Sequence, residues 1–139
     1  VIEVKFNKTI IKFAPVLIPY SRNMPEHFLF YLALSFFYLH EMDAVRCREW
    51  RIFPLLSLMS DKWGKIVFIV AHLPLFLIIT IQLNASDNER FITGMSFFFI
   101  VHLFMHIVYL RHKNNEFNDW ISWGAIIGNG TFGLVNLLV

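Results

Sequence analysis

Charge is what this chain has least of. Asp, Glu, Lys and Arg make up 16% of its 139 residues, where a soluble domain carries about 25%. The few charges stand between apolar runs rather than within them, which argues against a soluble globular fold. A formal net charge of +2 leaves no basic surface for nucleic acid, and the lysines and arginines read as membrane-flanking anchors. Cysteine occurs once, as Cys47, so an intramolecular disulfide and any Cys-x-x-Cys redox or zinc site are excluded. The sequence also lacks repeats, low-complexity tracts and any linker long enough to separate domains. No cleavable signal peptide is expected, because the first apolar run follows a charged segment and has no small-residue cleavage site.

Apolar residues, in contrast, make up 57% of the chain, and phenylalanine alone occurs 16 times. They gather in four stretches, at about 28–45, 66–83, 91–110 and 120–139. Each approaches the roughly 20 apolar residues that carry a helix across a bilayer core. The expected architecture is all-α: a four-transmembrane-helix bundle forming one integral membrane domain over 1–139. Residues 1–24 mix Lys5, Lys8, Lys12 and Arg22 with the apolar run Phe13–Pro19, too short to span. They are expected to lie at the interface as an arm, with room for a short strand near Glu3–Phe6. Pro25 would open the first helix, with Asn23 near its cap. The stretch Ile52–Trp63 is also expected to be interfacial. The connections at 84–90 and 111–119 are short, which makes the flanking helices antiparallel neighbours and puts both termini on one side. Arg46, Arg48, Arg51, Lys62, Lys65, Arg111 and Lys113 outnumber Lys5, Lys8, Lys12, Arg22 and Arg90 across the membrane. The positive-inside rule therefore turns the 46–65 end to the cytoplasm.

Ionisable groups inside hydrocarbon are costly and mark candidate functional sites. His40 falls roughly 9 Å inside the end of the first helix, and His72 roughly 10 Å from a second-helix start at Lys65, both by the helical rise per residue. His106 and His102 fall roughly 7 and 14 Å from the end of the third helix, in the same half of the membrane. His102 and His106, four apart, share a helix face, as do His40 and Asp43; Glu41 points about 100° away. One such histidine usually makes only a hydrogen bond between helices, but four at matched depth point to a site.

Imidazole with carboxylate suits Zn²⁺ or Fe²⁺. The expected metal ligands are His40, His72, His102, His106 and Asp43, with Zn²⁺ preferred over Fe²⁺. A metal with an open position brings a bound water to a pKa of about 7 and makes it a nucleophile. Glu41 or Asp43 would then be the catalytic base, or the carboxylate that orients a ligand histidine. On the fourth helix Ser122, Asn129 and Asn136 recur every seven residues; Asn129, the deepest of the three, is a candidate to hydrogen-bond into the site. Arg46, Arg48 and Arg51 form an interfacial belt, and Arg46 could also hold a phosphate or carboxylate of an amphiphile. Glu49 is expected to pair with one of these arginines. Gly124-x-x-x-Gly128 permits close helix approach, within the bundle or at a dimer seam.

The segment His40-Glu41-Met42-Asp43, followed by Glu49-Trp50-Arg51 and Pro54, resembles an uncharacterised family of small bacterial four-helix membrane proteins. That family has a His-Glu-x-Asp…Glu-Trp-Arg…Pro signature at the end of its first helix. His102-x-x-x-His106 and the Asn129 helix fit the same pattern. More loosely the chain is similar to the HXXEE group, to which a membrane-enzyme role is ascribed, although here the adjacent glutamates are missing. The resemblance implies a bacterial inner-membrane location and names no substrate.

The function expected is that of a metal-dependent intramembrane hydrolase, acting on a lipid or other amphiphile that enters laterally. Two non-enzymatic alternatives stand beside it. One is a b-type haem carrier with His72 and either His102 or His106 as axial ligands; the other is a membrane subunit or small transporter whose polar cluster binds a partner or an ion.

Overall fold

The computed structural model describes residues 26–139, so the arm expected over 1–24, with Asn23 and Pro25, lies outside them. Four helices follow in order: α1 (Phe28–Arg46), α2 (Asp61–Leu83), α3 (Glu89–Tyr109) and α4 (Trp120–Leu138). Among the described residues there is no strand. All four helices are long and apolar enough to cross a membrane. Short 3₁₀ turns at Glu49–Arg51 and Leu56–Leu58 bridge α1 and α2.

The second helix starts five residues before the expected Ile66. Ser60, in extended conformation, precedes a first turn that carries Asp61, and a carboxylate there is favoured by the helix dipole. The turn Asp61-Lys62-Trp63-Gly64-Lys65 is too polar for hydropathy to register. Some of the expected interfacial segment is therefore helix.

Small residues decide the arrangement. On α4 a Cβ placed on Gly128 would meet the Phe36 ring of α1 at 2.7 Å. One on Gly130 would meet Leu103 of α3 at 2.5 Å, and one on Gly133 would meet Phe99 of α3 at 2.9 Å. The helix α4 thus lies between α1 and α3 and touches both through backbone, the packing that small residues allow in membranes. Gly124 faces open space, whereas Gly128 is already filled by Phe36. The bundle's aromatic centre is Phe30, Phe37 and Phe99, all buried, with Phe37 and Phe99 centroids 5.6 Å apart.

By contrast α2 is peripheral. It is the most apolar of the four and the least buried, with Gly64, Phe68 and Ile79 its only buried residues. Gly64 lies against the indole of Trp50, where a Cβ would stand 3.0 Å from the ring.

The polar end is tied by charged side chains. Arg46 donates to Asp43 at 2.6 Å and to Asp119 at 2.7 Å. Arg51 donates to Asp61 at 2.7 Å, which also accepts from the Trp50 indole at 3.0 Å. These contacts join the end of α1 to the starts of α4 and α2. At the opposite end His27 meets Glu89 at 3.1 Å, so α1 and α3 begin together and the helices alternate in direction.

Candidate metal centre

His40 projects from the last third of α1 towards α3, where the i, i+4 pair His102 and His106 faces it. The three rings form a near-equilateral triangle: centroids are 4.6 Å apart for His40–His102, 4.6 Å for His40–His106 and 4.7 Å for His102–His106. Each pair is steeply inclined, at 68°, 78° and 79°, so the rings meet edge to face. His102 Nε2 and His106 Nε2 are 3.3 Å apart.

The fourth member is Glu49. After α1, Arg48 takes up a left-handed conformation (φ 52°, ψ 44°), unusual for a side chain other than Gly, Asn or Asp and found where the surrounding structure demands it. It reverses the chain and folds the next residue back beneath the helix. Glu49 Oε2 then lies 3.7 Å from His40 Nε2, and Oε1 lies 3.5 Å from His106 Nε2. One ligand atom from each of the four residues falls within 4.8 Å of the others. Two donors held about 2.0–2.1 Å from one tetrahedral Zn²⁺ stand about 3.3 Å apart, so the spacings match with small closure.

Burial makes the cluster costly without a guest. His40 is fully buried and neither ring nitrogen has a hydrogen-bond partner. A buried polar group left unpaired costs about 1–3 kcal/mol, and such orphans are rare in folded proteins. Asn129 of α4, also fully buried, contacts His102 Nδ1 at 3.2 Å while its own Oδ1 is unpartnered. Phe117, from the α3–α4 connection, closes the polar side, its ring centroid 5.4 Å from His40 and 5.0 Å from His106. Phe37 lies edge-on to His102 from the deeper side, at 5.7 Å. The site is dry-walled above and below.

Four of the residues singled out from sequence lie elsewhere. His72 Nε2 is 2.6 Å from Glu41 Oε2, and its Nδ1 donates to the Phe68 carbonyl at 2.7 Å. This pair joins α1 to α2 on the edge of α1 turned away from His40, so the expected grouping of His72 with His40 and His106 does not form. Matched depth says nothing about rotation around the helix axis. Glu41 is correspondingly spent on His72. Asp43 accepts from Arg46 and, at 2.5 Å, from Ser122 of α4; it clasps α1 to α4 rather than facing the cluster. Arg46 gives its Nε to Asp43 and its Nη2 to Asp119 and Ser122, so it ties α1 to α4. Glu49 pairs with none of the arginines expected for it; Arg48 and Arg51 turn to Glu116 instead.

Cys47 packs beside Asp43 and Ser122, 3.7 and 3.8 Å from their oxygens. Burial pushes its thiol up to about 11, which removes the thiolate a soft-metal ligand needs. Asp119 caps α4: the Ser122 backbone N–H and the Arg46 guanidinium hold its carboxyl below the usual range. The heptad series on α4 is interhelical throughout, with Ser122 on Asp43, Asn129 on His102 and Asn136 on Ser96.

Glu49 and Phe117 were not evident as site residues in the sequence. An acid next to Trp50, nine residues after His40 and ahead of Pro54, is the only signal for the first. Nothing local distinguishes Phe117 from the other phenylalanines.

The chain belongs to the DUF6713 family, a family of unknown function, which matches residues 26–139. No curated protein and no solved structure matches it.

Proposed function

We propose that this protein is a metal-dependent intramembrane enzyme, a hydrolase of a lipid or other amphiphile, set in a bacterial inner membrane. His40, His102 and His106 hold a divalent ion, Zn²⁺ before Fe²⁺. The observation that carries this reading is His40, sealed as one corner of a triangle of imidazole rings with both nitrogens unpaired. An ion supplies the partner that no protein group provides. Three histidines with one further position is the ligand count of catalytic zinc sites, and such an ion supplies Lewis acidity and activates water.

Glu49 is the carboxylate of this reaction. Its oxygens lie between His40 and His106, within reach of a water at the centre. With an ion held by the three histidines, it would take the proton of a water in the remaining position as the water oxygen bonds to the acyl carbon; the same proton would go to the departing alcohol or amine as its bond to that carbon breaks. Glu41, occupied by His72, has no such reach. The haem alternative has little support here, because His72 is held on the far edge of α1 and His102 and His106 nearly touch.

Elemental analysis of purified protein tests the reading. About one zinc or iron per chain is expected, falling in His40→Ala and His106→Ala and staying in His72→Ala, since a structural metal site is lost with its ligands. Full metal with Glu49→Gln but no cleavage of acyl esters would fix Glu49 as base. Metal-free protein that folds normally overturns the proposal.

A further inference from the structure

Beside the cluster lies a cavity of about 440 Å³ between α3 and the turn that follows Glu49. Phe53 and Pro54 line one wall; Phe98, Val101 and Met105 of α3 line the other. Glu49, His102 and His106 also line it, and these are the more buried members, whereas Val101 and Met105 are partly exposed on the face that a membrane would cover with hydrocarbon. The cavity is thus apolar towards the lipid, and the polar side chains in its lining are Glu49, His102, His106 and Tyr109. No lysine or arginine contributes to its lining among the described residues, and Arg46 and Arg51 at that end of the bundle are engaged by Asp43, Asp119 and Asp61. Its size is at the low end of the roughly 300–1,000 Å³ of pockets that take one drug-sized ligand, which suits one alkyl chain and not two.

We propose that this cavity seats the tail of a single-chain, uncharged amphiphile, such as an acyl ester or a primary amide, with its carbonyl oxygen delivered to the His40–His102–His106–Glu49 centre. The placement of the head rests on the metal reading above; the placement of the tail does not. Without an ion at the centre, an anionic head is disfavoured because the lining offers the Glu49 carboxylate and no lysine or arginine to balance it. The chain enters sideways from the bilayer, past Val101 and Met105.

Photolabelling tests this with the protein in phosphatidylcholine vesicles and palmitamide carrying a mid-chain diazirine as the probe. Labels are expected on Val101, Met105 and Phe53, displaced by excess palmitamide and, in protein stripped of metal by a chelator, about tenfold less readily by hexadecyl sulfate, a difference of one decade in binding constant. Val101→Trp, which fills the cavity, is expected to cut labelling of Met105 about tenfold by overpacking. Val108→Trp is its control, on an exposed α3 position outside the lining, and should leave labelling unchanged. Labels spread equally over lipid-facing Phe97 and Phe104, whether or not the protein carries metal, or displaced equally by the sulfate from the metal-stripped protein, overturn the inference. Labels confined to the cavity in protein that elemental analysis finds metal-free support the tail site while the metal reading fails.

Discussion

Asn129 and His102 form a hydrogen-bonded pair across α4 and α3, 3.2 Å apart, at the Nδ1 that faces away from the cluster. A neutral imidazole carries one proton, and whichever nitrogen holds it cannot ligate. A half-turn of the Asn129 amide brings its unpartnered Oδ1 to Nδ1 without moving the ring. The carbonyl then accepts Nδ1–H and leaves the Nε2 lone pair aimed at the centre, as metal-bound histidines require.

Asn129→Leu is therefore expected to weaken metal affinity about 10–100-fold, the usual effect of losing such a partner. Asn129→Asp, which keeps an acceptor at the same place, should retain most of it. Competition with a chelator of known affinity, combined with the Co²⁺ absorption spectrum, separates the two variants. Equal affinity in Asn129→Leu and the parent would remove Asn129 from the site.

The Glu41–His72 pair should behave as a structural tie. Both side chains are mostly buried, so Glu41→Met or His72→Leu alone is expected to cost about 3–5 kcal/mol, because the remaining partner is stranded. Replacing both, with Glu41→Met and His72→Leu, should be nearly neutral. Unfolding in mixed micelles measures the cycle. Metal content should be the same in all four proteins.

Gly130 is the tightest helix contact. Its Cβ would lie 2.6 Å from Leu103 Cβ, and that atom cannot swing aside without moving α3. Gly130→Ala is expected to destabilise the bundle by about 1–3 kcal/mol and to lower metal affinity, because Leu103 lies next to His102. Gly124→Ala, with nothing within 4 Å, should be neutral or slightly stabilising. Thermal unfolding and chelator competition on the pair of variants provide the comparison.

The Asp119 cap predicts a pH dependence. A carboxyl held below its ordinary value by Ser122 N–H and Arg46 contributes stability that is present above the unfolded-state pKa, about 3.9. That stability is lost as the pH falls through the lower folded-state value. Asp119→Asn should melt below the parent at neutral pH, and the gap should close on acidification. A gap that stays constant to low pH would mean that the charge on Asp119 does not matter.

Hydropathy locates three helices closely, since α1, α3 and α4 have apolar flanks that end at charged or turn residues. The start of α2 escapes it because the first turn carries Asp61, Lys62 and Lys65 and is recognised only by the extended Ser60 before it. Depth along the axis is readable for the histidines because the rise per residue is fixed. Azimuth is not. His40 and Glu41 are neighbours in sequence, yet one faces α3 and the other α2, and only the packing of α4 through Gly128 and Gly130 sets that rotation. Glu49 lies beyond the helix end, where periodicity carries no information, and its return depends on a left-handed residue that is arginine rather than the glycine such a turn usually employs.

The reversal at Arg48 also divides the site into two jaws. His40 and Glu49 belong to one helix end and its turn; His102 and His106 belong to a single turn of α3. Each jaw can form as soon as its own segment folds, and neither contains a residue of the helix that separates them, since α1 and α3 meet chiefly by way of α4. Whatever is gripped by both jaws would therefore act as a rivet between two helices that otherwise meet through side chains such as Phe30, Phe37 and Phe99. Its binding energy is added to the cohesion of the whole bundle, by about 2.7 kcal/mol at a hundred times the dissociation constant. If a metal ion is that guest, the lifetime of the folded protein would depend on its supply.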